Sequence, residues 1–214
     1  MAVRRCCPRQ RLARFAVPMH SRVMTLRIRP ATRADADAIA ALHLASYRAA
    51  YEGLLPAEVL GSLRAEDRRR RWHVSMNDPQ RRTLIAQAGD GAPAVIGFAE
   101  VGPSRDDDTE AGTGELMALH VMQSRWRQGS GRALHDTAIA TLATLGFQVA
   151  TLWVLTGNSR ARAFYEAMGW NDDGTAREHF AWGIQVPEVR YRTVRPGHKV
   201  QGVPIPVVEL EVRG

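Results

Sequence analysis

Residues 115–134, ELMALHVMQSRWRQGSGRAL, constrain the fold more than any other part of this chain. The apolar run ELMALHVM reads as a strand. A polar turn follows, and the glycines Gly129 and Gly131 open a helix whose Leu134, Ala138, Leu142 and Leu145 recur on one face. A strand that turns directly into a helix exposes successive backbone N–H groups at the helix N-terminus, where the macrodipole also favours anions. Two glycines let the backbone approach phosphate oxygens closely, so the turn suits a pyrophosphate. A Gly-x-Gly pair also makes ordinary tight turns, and the neighbouring elements decide between the two.

VATLWVL (149–155) is short, continuous and apolar, the pattern of a strand buried on both faces, and is expected at the centre of a sheet. Asn158 can cap the next helix, in which Ala161, Phe164, Tyr165 and Met168 share a stripe. Upstream, LRIRPA (26–31) reads as a strand. Thr32, with Asp35 three residues on, is a capping-box variant ahead of a helix carrying Ala40, Leu44, Tyr47 and Tyr51. Residues 57–76 read as one or two further helices, with the run Arg68–Arg71 on a solvated face. RTLIAQAG and AVIGFAEVG form a hairpin around the turn at 89–93, and PEVRYRTV and IPVVELEV are closing strand candidates. This order predicts an α/β fold with a mixed central sheet of about six to seven strands and about four helices, rather than a doubly wound parallel sheet.

A length of 214 residues with 45% hydrophobic content suits one domain. The formal charge of +7 suggests nucleic acid until it is located. Residues 1–24 hold six arginines and no acid, leaving 23 basic against 22 acidic residues in the rest. A basic tail on a nearly neutral body is not the footprint of a nucleic-acid-binding domain. Lys199 is the only lysine, a bias that fits GC-rich coding better than guanidinium chemistry. Cys6 and Cys7 are adjacent and lie in the tail, so they build neither a disulfide framework nor a Cys/His metal site. No run has the roughly 18 apolar residues of a membrane span. The expectation is a cytoplasmic protein with a basic tail at 1–24 and a single domain at 25–214. For the tail itself an amphipathic presequence, a mobile arm, and coding sequence ahead of a start at Met19 or Met24 remain open.

LHV…RQGSGRAL, followed downstream by LWVLTGNSRARAFYEAMGW, resembles the two halves of the signature of the GNAT superfamily of N-acetyltransferases. These are a strand with an R-x-x-G-x-G/A loop, then an N-x-x-A-x-x-F-Y-E-x-x-G-[FW] helix. Order, spacing and residue types match over about residues 26–194. The resemblance implies the GNAT fold, acetyl-CoA as co-substrate, no metal, and transfer of an acetyl group to a primary amine. Leu119, His120 and Val121 would hydrogen-bond the pantetheine through their backbones. Arg127, Gln128, Gly129, Ser130, Gly131 and Arg132 would wrap the pyrophosphate. Asn158 would contact the pantetheine arm, and Tyr165 would be the general acid. Trp126 takes a loop position usually held by Gln or Arg, and is read as a packing residue.

A phenol with a pKa of about 10 can supply the proton the departing CoA thiolate needs at neutral pH. The incoming amine arrives as ammonium and must lose a proton. Glu115 matches the strand glutamate that serves as base in the histone-acetylating branch. The base of the branch that acetylates ribosomal-protein N-termini falls at Trp153 and is missing. His120 and a water relay remain alternative proton paths. The acceptor cleft of the superfamily points to Tyr47, Tyr51 and Glu52. The expected acceptor is a small-molecule amine, polyamine-like, amino-sugar or aminoglycoside in type, with no nucleic-acid or membrane partner and with dimerisation open. Alternatives are a protein or peptide acceptor and a non-catalytic acyl-CoA sensor.

Overall fold

The computed structural model describes residues 23–89, 94–181, 183–194 and 207–213. Residues 1–22 of the expected tail and positions 90–93 of the expected turn lie outside them. Eight strands form one sheet. They are β1 (Val23–Pro30), β2 (Arg82–Ala88), β3 (Ala94–Pro103), β4 (Thr113–Val121), β5 (Val149–Leu155), β6 (Asn171–Ala181), β7 (Ile184–Val194) and β8 (Val208–Arg213). Their spatial order is β6-β7-β5-β4-β3-β2-β1-β8. Among the described residues only the β4–β5 pair is parallel. The helices are α1 (Ala36–Tyr51), α2 (Ala57–Ser62), α3 (Ala65–Ser75), α4 (Ser130–Thr144) and α5 (Ser159–Ala167).

Alternation within a strand sends neighbours to opposite faces, and here both faces are covered. Leu84 and Ala86 of β2 join a core with Leu134, Ala138 and Leu142 of α4. Ile85 between them joins Phe98 of β3, Ile39 of α1 and Trp72 of α3 on the opposite face. A third cluster sets Tyr47, Leu55 and Leu63 against Leu155 of β5 and Val186 of β7. As its apolar run predicts, β5 is central, paired with β4 on one edge and β7 on the other.

Several expectations need correction. The fold has one strand more than the upper expectation, because NDDGTAREHFA forms β6. That strand lies at the sheet edge, where solvent reaches its side chains and no apolar alternation is needed. β1 begins at Val23, ahead of the apolar pattern at Leu26, because it pairs along β8 from Val23↔Arg213 onward. Leu145 leaves the α4 stripe and is 37% exposed, since the helix ends one residue before it. The arginine run splits: Arg69, Arg70 and Arg71 face solvent, whereas Arg68 is 7% exposed.

Candidate active site

β4 and β5 run side by side only at their starts, where Thr113–Glu115 pairs with Val149–Thr151. Beyond that the edges that face each other are unpaired. The cause is visible on the other edge of β4. Val101 faces Leu116 and Glu100 faces Ala118, so Met117 is an extra residue in β4. Such a bulge bends its strand. The result is a wedge between the carboxyl ends of two adjacent parallel strands, where open α/β sheets bind ligands. Leu119, His120 and Val121 lie on the β4 side of it.

Each strand hands over to a helix at the mouth of the wedge. After β4, a short 3-10 turn at Gln123–Arg125 leads through Trp126 to α4. Arg127 (φ 60°) and Gly129 (φ 85°) both adopt left-handed backbone, which aims successive N–H groups into a concave nest. Gly131 is free of steric need within the chain, because a methyl there would meet nothing nearer than 3.7 Å. Trp126 donates its indole N–H to the Val121 carbonyl at 2.8 Å, and the Arg160 guanidinium of α5 stacks on its ring at 3.5 Å. Trp126 therefore packs the loop against α5, as expected. Gln128 bonds back to the Ser124 carbonyl, Ser130 is buried, and Arg132 is exposed. After β5, the Asn158 side chain caps α5 by accepting from the Ala161 N–H at 3.1 Å.

Tyr165 sits on the first half-buried stripe of α5. Its ring lies edge-on to Phe164 and Trp170, and its hydroxyl makes no hydrogen bond among the described residues. The Trp170 N–H donates to the Tyr165 carbonyl, and the Trp170 indole donates to Nε2 of His135 on α4 at 2.8 Å. This ties the tyrosine to the helix that opens with the glycine nest. Burial, then the nearby Tyr51 phenol, holds the Tyr165 hydroxyl above the usual phenol range, so it is protonated at neutral pH. Across the wedge, the rings of Tyr47 and Tyr51 are 4.2 Å apart. Burial, then Glu188, pushes Tyr51 up to about 12.

Residues 43–170 match the Acetyltransferase (GNAT) family. The chain belongs to this family. It is 31% identical over 163 residues to the uncharacterized N-acetyltransferase YuaI of Bacillus subtilis strain 168, covering 76% of this chain and 89% of that one. The PaiA N-acetyltransferase of Thermoplasma acidophilum, solved in complex with coenzyme A, superposes with a TM-score of 0.61 at 17% identity, covering 79% of this chain and 99% of that one. YncA of Salmonella typhimurium, solved with its cofactor acetyl-CoA, gives 0.59 at 17% identity over 83% and 98% of the two chains. The mixed sheet with its flanking helices is thus a GNAT fold, and the chain is an acyl-CoA N-acyltransferase by family.

Within this GNAT framework, the structure brings Tyr47, Tyr51, Tyr165 and His120 around the wedge but separates two other candidates. Glu52 caps the end of α1 and is exposed. Glu115 is 1% exposed, and both its oxygens are taken by Arg105, which donates from Nε at 2.9 Å, from Nη2, and from its backbone N–H at 3.2 Å. The Ser46 hydroxyl pairs with His120 Nδ1 at 3.2 Å. Burial, then Arg68 and Arg71, brings His120 down to about 3, so it is neutral at physiological pH. Sequence reasoning missed Glu188, 13% exposed beside the tyrosine pair, and Arg68. Neither had a readable signal, because Glu188 comes from an ordinary polar strand position and Arg68 from a run of four arginines.

Among the described residues no group of three or more His, Cys, Asp or Glu side chains is arranged to hold a metal ion, and no helix is long and apolar enough to cross a membrane.

Proposed function

We propose that this enzyme transfers an acetyl group from acetyl-CoA to the primary amine of a small molecule by direct attack, with Tyr165 as general acid. The observation that carries the reading is the wedge between β4 and β5, flanked by two helix N-termini and facing a protonated phenol that lacks a hydrogen-bond partner among the described residues. The donor's chemistry is that of a thioester, an activated acyl group with a thiolate leaving group. The nest at 127–131, with Arg132 beside it, holds the pyrophosphate. Backbone groups of Leu119, His120 and Val121 and the Asn158 side chain hold the pantetheine arm. The left-handed backbone at Arg127 and Gly129 and the open space above Gly131 both fit such a group.

The acceptor's nitrogen forms a bond to the acyl carbon and the carbon–sulfur bond breaks. Tyr165 gives its proton to the departing sulfur and recovers one from solvent. The proton lost by the amine leaves through water. Glu115 is shielded and committed to Arg105, and His120 is too weakly basic in this environment to take a proton from an ammonium. Glu115 then anchors the loop after β3 through Arg105, and would serve as base only if that ion pair opened.

A thiol-release screen of the purified protein with acetyl-CoA against pools of primary amines tests the reading. Acetyl-CoA-dependent thiol release on one amine class, with the acetylated amine found by mass spectrometry, is the expected result. Tight acetyl-CoA binding with no transfer to any pool would instead identify a sensor.

A further inference from the structure

Arg68 is an anomaly. Its side chain is buried to 7% exposure, and among the described residues its Nη2 has no hydrogen-bond partner and no other buried side-chain polar atom is in that position. The guanidinium lies 5.1 Å from the Tyr47 ring, a cation–π contact that satisfies no N–H. Burying an unpaired charge is costly. A second unpaired cation makes it worse. Arg71, one helical turn on, makes no hydrogen bond or ion pair among the described residues, and the two repel.

Three other arginines on or beside this helix are neutralised. Arg70 pairs with Asp67, Arg81 with Asp78 and Glu100, and Arg105 with Glu115. Arg68 and Arg71 have no acidic partner among the described residues, and Arg68 lies against the Tyr47 ring beside the wedge. Both act electrostatically on His43, His120 and Tyr47, whose rings lie together beside the wedge. Arg71 also lines a cleft of about 450 Å³ beside α3.

We propose that the acceptor amine carries an acidic group, a carboxylate or a phosphate, and that Arg68, with Arg71 behind it, is its binding site. This rests on the N-acetyltransferase reading and narrows it. An acid reaching Nη2 past the Tyr47–Tyr51 pair completes a guanidinium that the described residues leave unpaired, in a place shielded from water where a charged hydrogen bond is strong. It also relieves the Arg68–Arg71 repulsion. A polyamine offers no anion and is repelled, so it is disfavoured as acceptor.

The test is a panel of matched primary amines assayed by thiol release with acetyl-CoA: glycine against methylamine, β-alanine against ethylamine, phosphoethanolamine against ethanolamine, and spermidine alone. The expected result is turnover of one or more acid-bearing members, with kcat/KM at least about 100-fold above the neutral partner, the size of a lost charged hydrogen bond. The carboxylate and phosphate pairs identify which acid is taken. Arg68→Met should raise KM for that member by on the order of 10- to 100-fold while leaving acetyl-CoA affinity by calorimetry unchanged. It should also raise the melting temperature, because it removes an unpaired buried charge, an effect a merely structural arginine would not show. Arg68→Lys, which keeps the charge, should recover part of the loss. Preference for neutral amines or spermidine, equal KM in Arg68→Met, or no turnover of any acid-bearing member by protein that binds acetyl-CoA would each overturn the proposal. Failure to bind acetyl-CoA at all would instead strike the parent reading.

Discussion

Tyr165 is where sequence and geometry bear on a single atom. The motif around it implies a general acid, and the structure adds a phenol that is protonated at neutral pH and lacks a partner among the described residues. Tyr165→Phe keeps the ring and its edge-on contacts with Phe164 and Trp170. With the acceptor in hand, kcat should fall on the order of 10²- to 10⁴-fold while acetyl-CoA affinity holds, the usual worth of a positioned proton donor. Wild-type turnover in this variant would assign the sulfur's proton to water. Other single residues were less legible. Glu115 was marked by its place at the start of an apolar strand, but its ion pair with Arg105 depends on how the loop after β3 folds back. Arg68 stands in a run whose other three members are exposed, and the packing of α3 against α1 turns that one inward.

At the scale of elements, the strand-to-helix units were legible because a short continuous apolar run gives way within a few residues to an apolar stripe of helical spacing. β5, α4 and the Asn158 cap all stand where the pattern places them. β6 was not legible, since an edge strand needs only a backbone partner. The bulge at Met117 was also hidden, although it opens the wedge, because a bulge is a property of strand pairing. One junction carries its own prediction. Arg29 of β1 holds Asp35, just ahead of α1, through two hydrogen bonds of 2.8 and 2.9 Å, and Thr32 adds its N–H and hydroxyl. These hold the Asp35 carboxyl at about 2, with Arg29 the largest cause. Because the folded pKa is depressed, the stabilisation is present above the ordinary carboxylate range and is lost as pH falls through about 2. Asp35→Asn should therefore cost about 1–3 kcal/mol in urea unfolding at neutral pH. The gap to wild type should close as the medium is acidified, and a gap independent of pH would contradict the ion-pair account.

Over the whole molecule, one sheet carries α4 on one face and α1 with α3 on the other. Beside α1 and α3 lie two imidazoles, His43 and His120, in the field of Arg68 and Arg71. Burial is the largest cause lowering both, followed by His120 for His43 and by Arg68 for His120. In the unfolded chain each takes a proton below about 6.5, and in the folded chain it resists. The unfolded state therefore binds more protons in that window, and stability should decline as pH drops from about 6.5 towards 3. His120→Gln should flatten part of that slope in urea midpoints, and an unchanged slope would show that the histidine is solvated. The central claim, that the wedge and its glycine nest bind acetyl-CoA, is tested most directly by calorimetric titration of wild type and Gly131→Glu with acetyl-CoA. A side chain at Gly131 has room, its first carbon lying 3.7 Å or more from any neighbour, so the variant should fold with a melting temperature close to wild type. The account predicts saturable one-to-one binding by wild type and none by Gly131→Glu, whose carboxylate would stand beside the pyrophosphate. Equal affinity in the two proteins would contradict it.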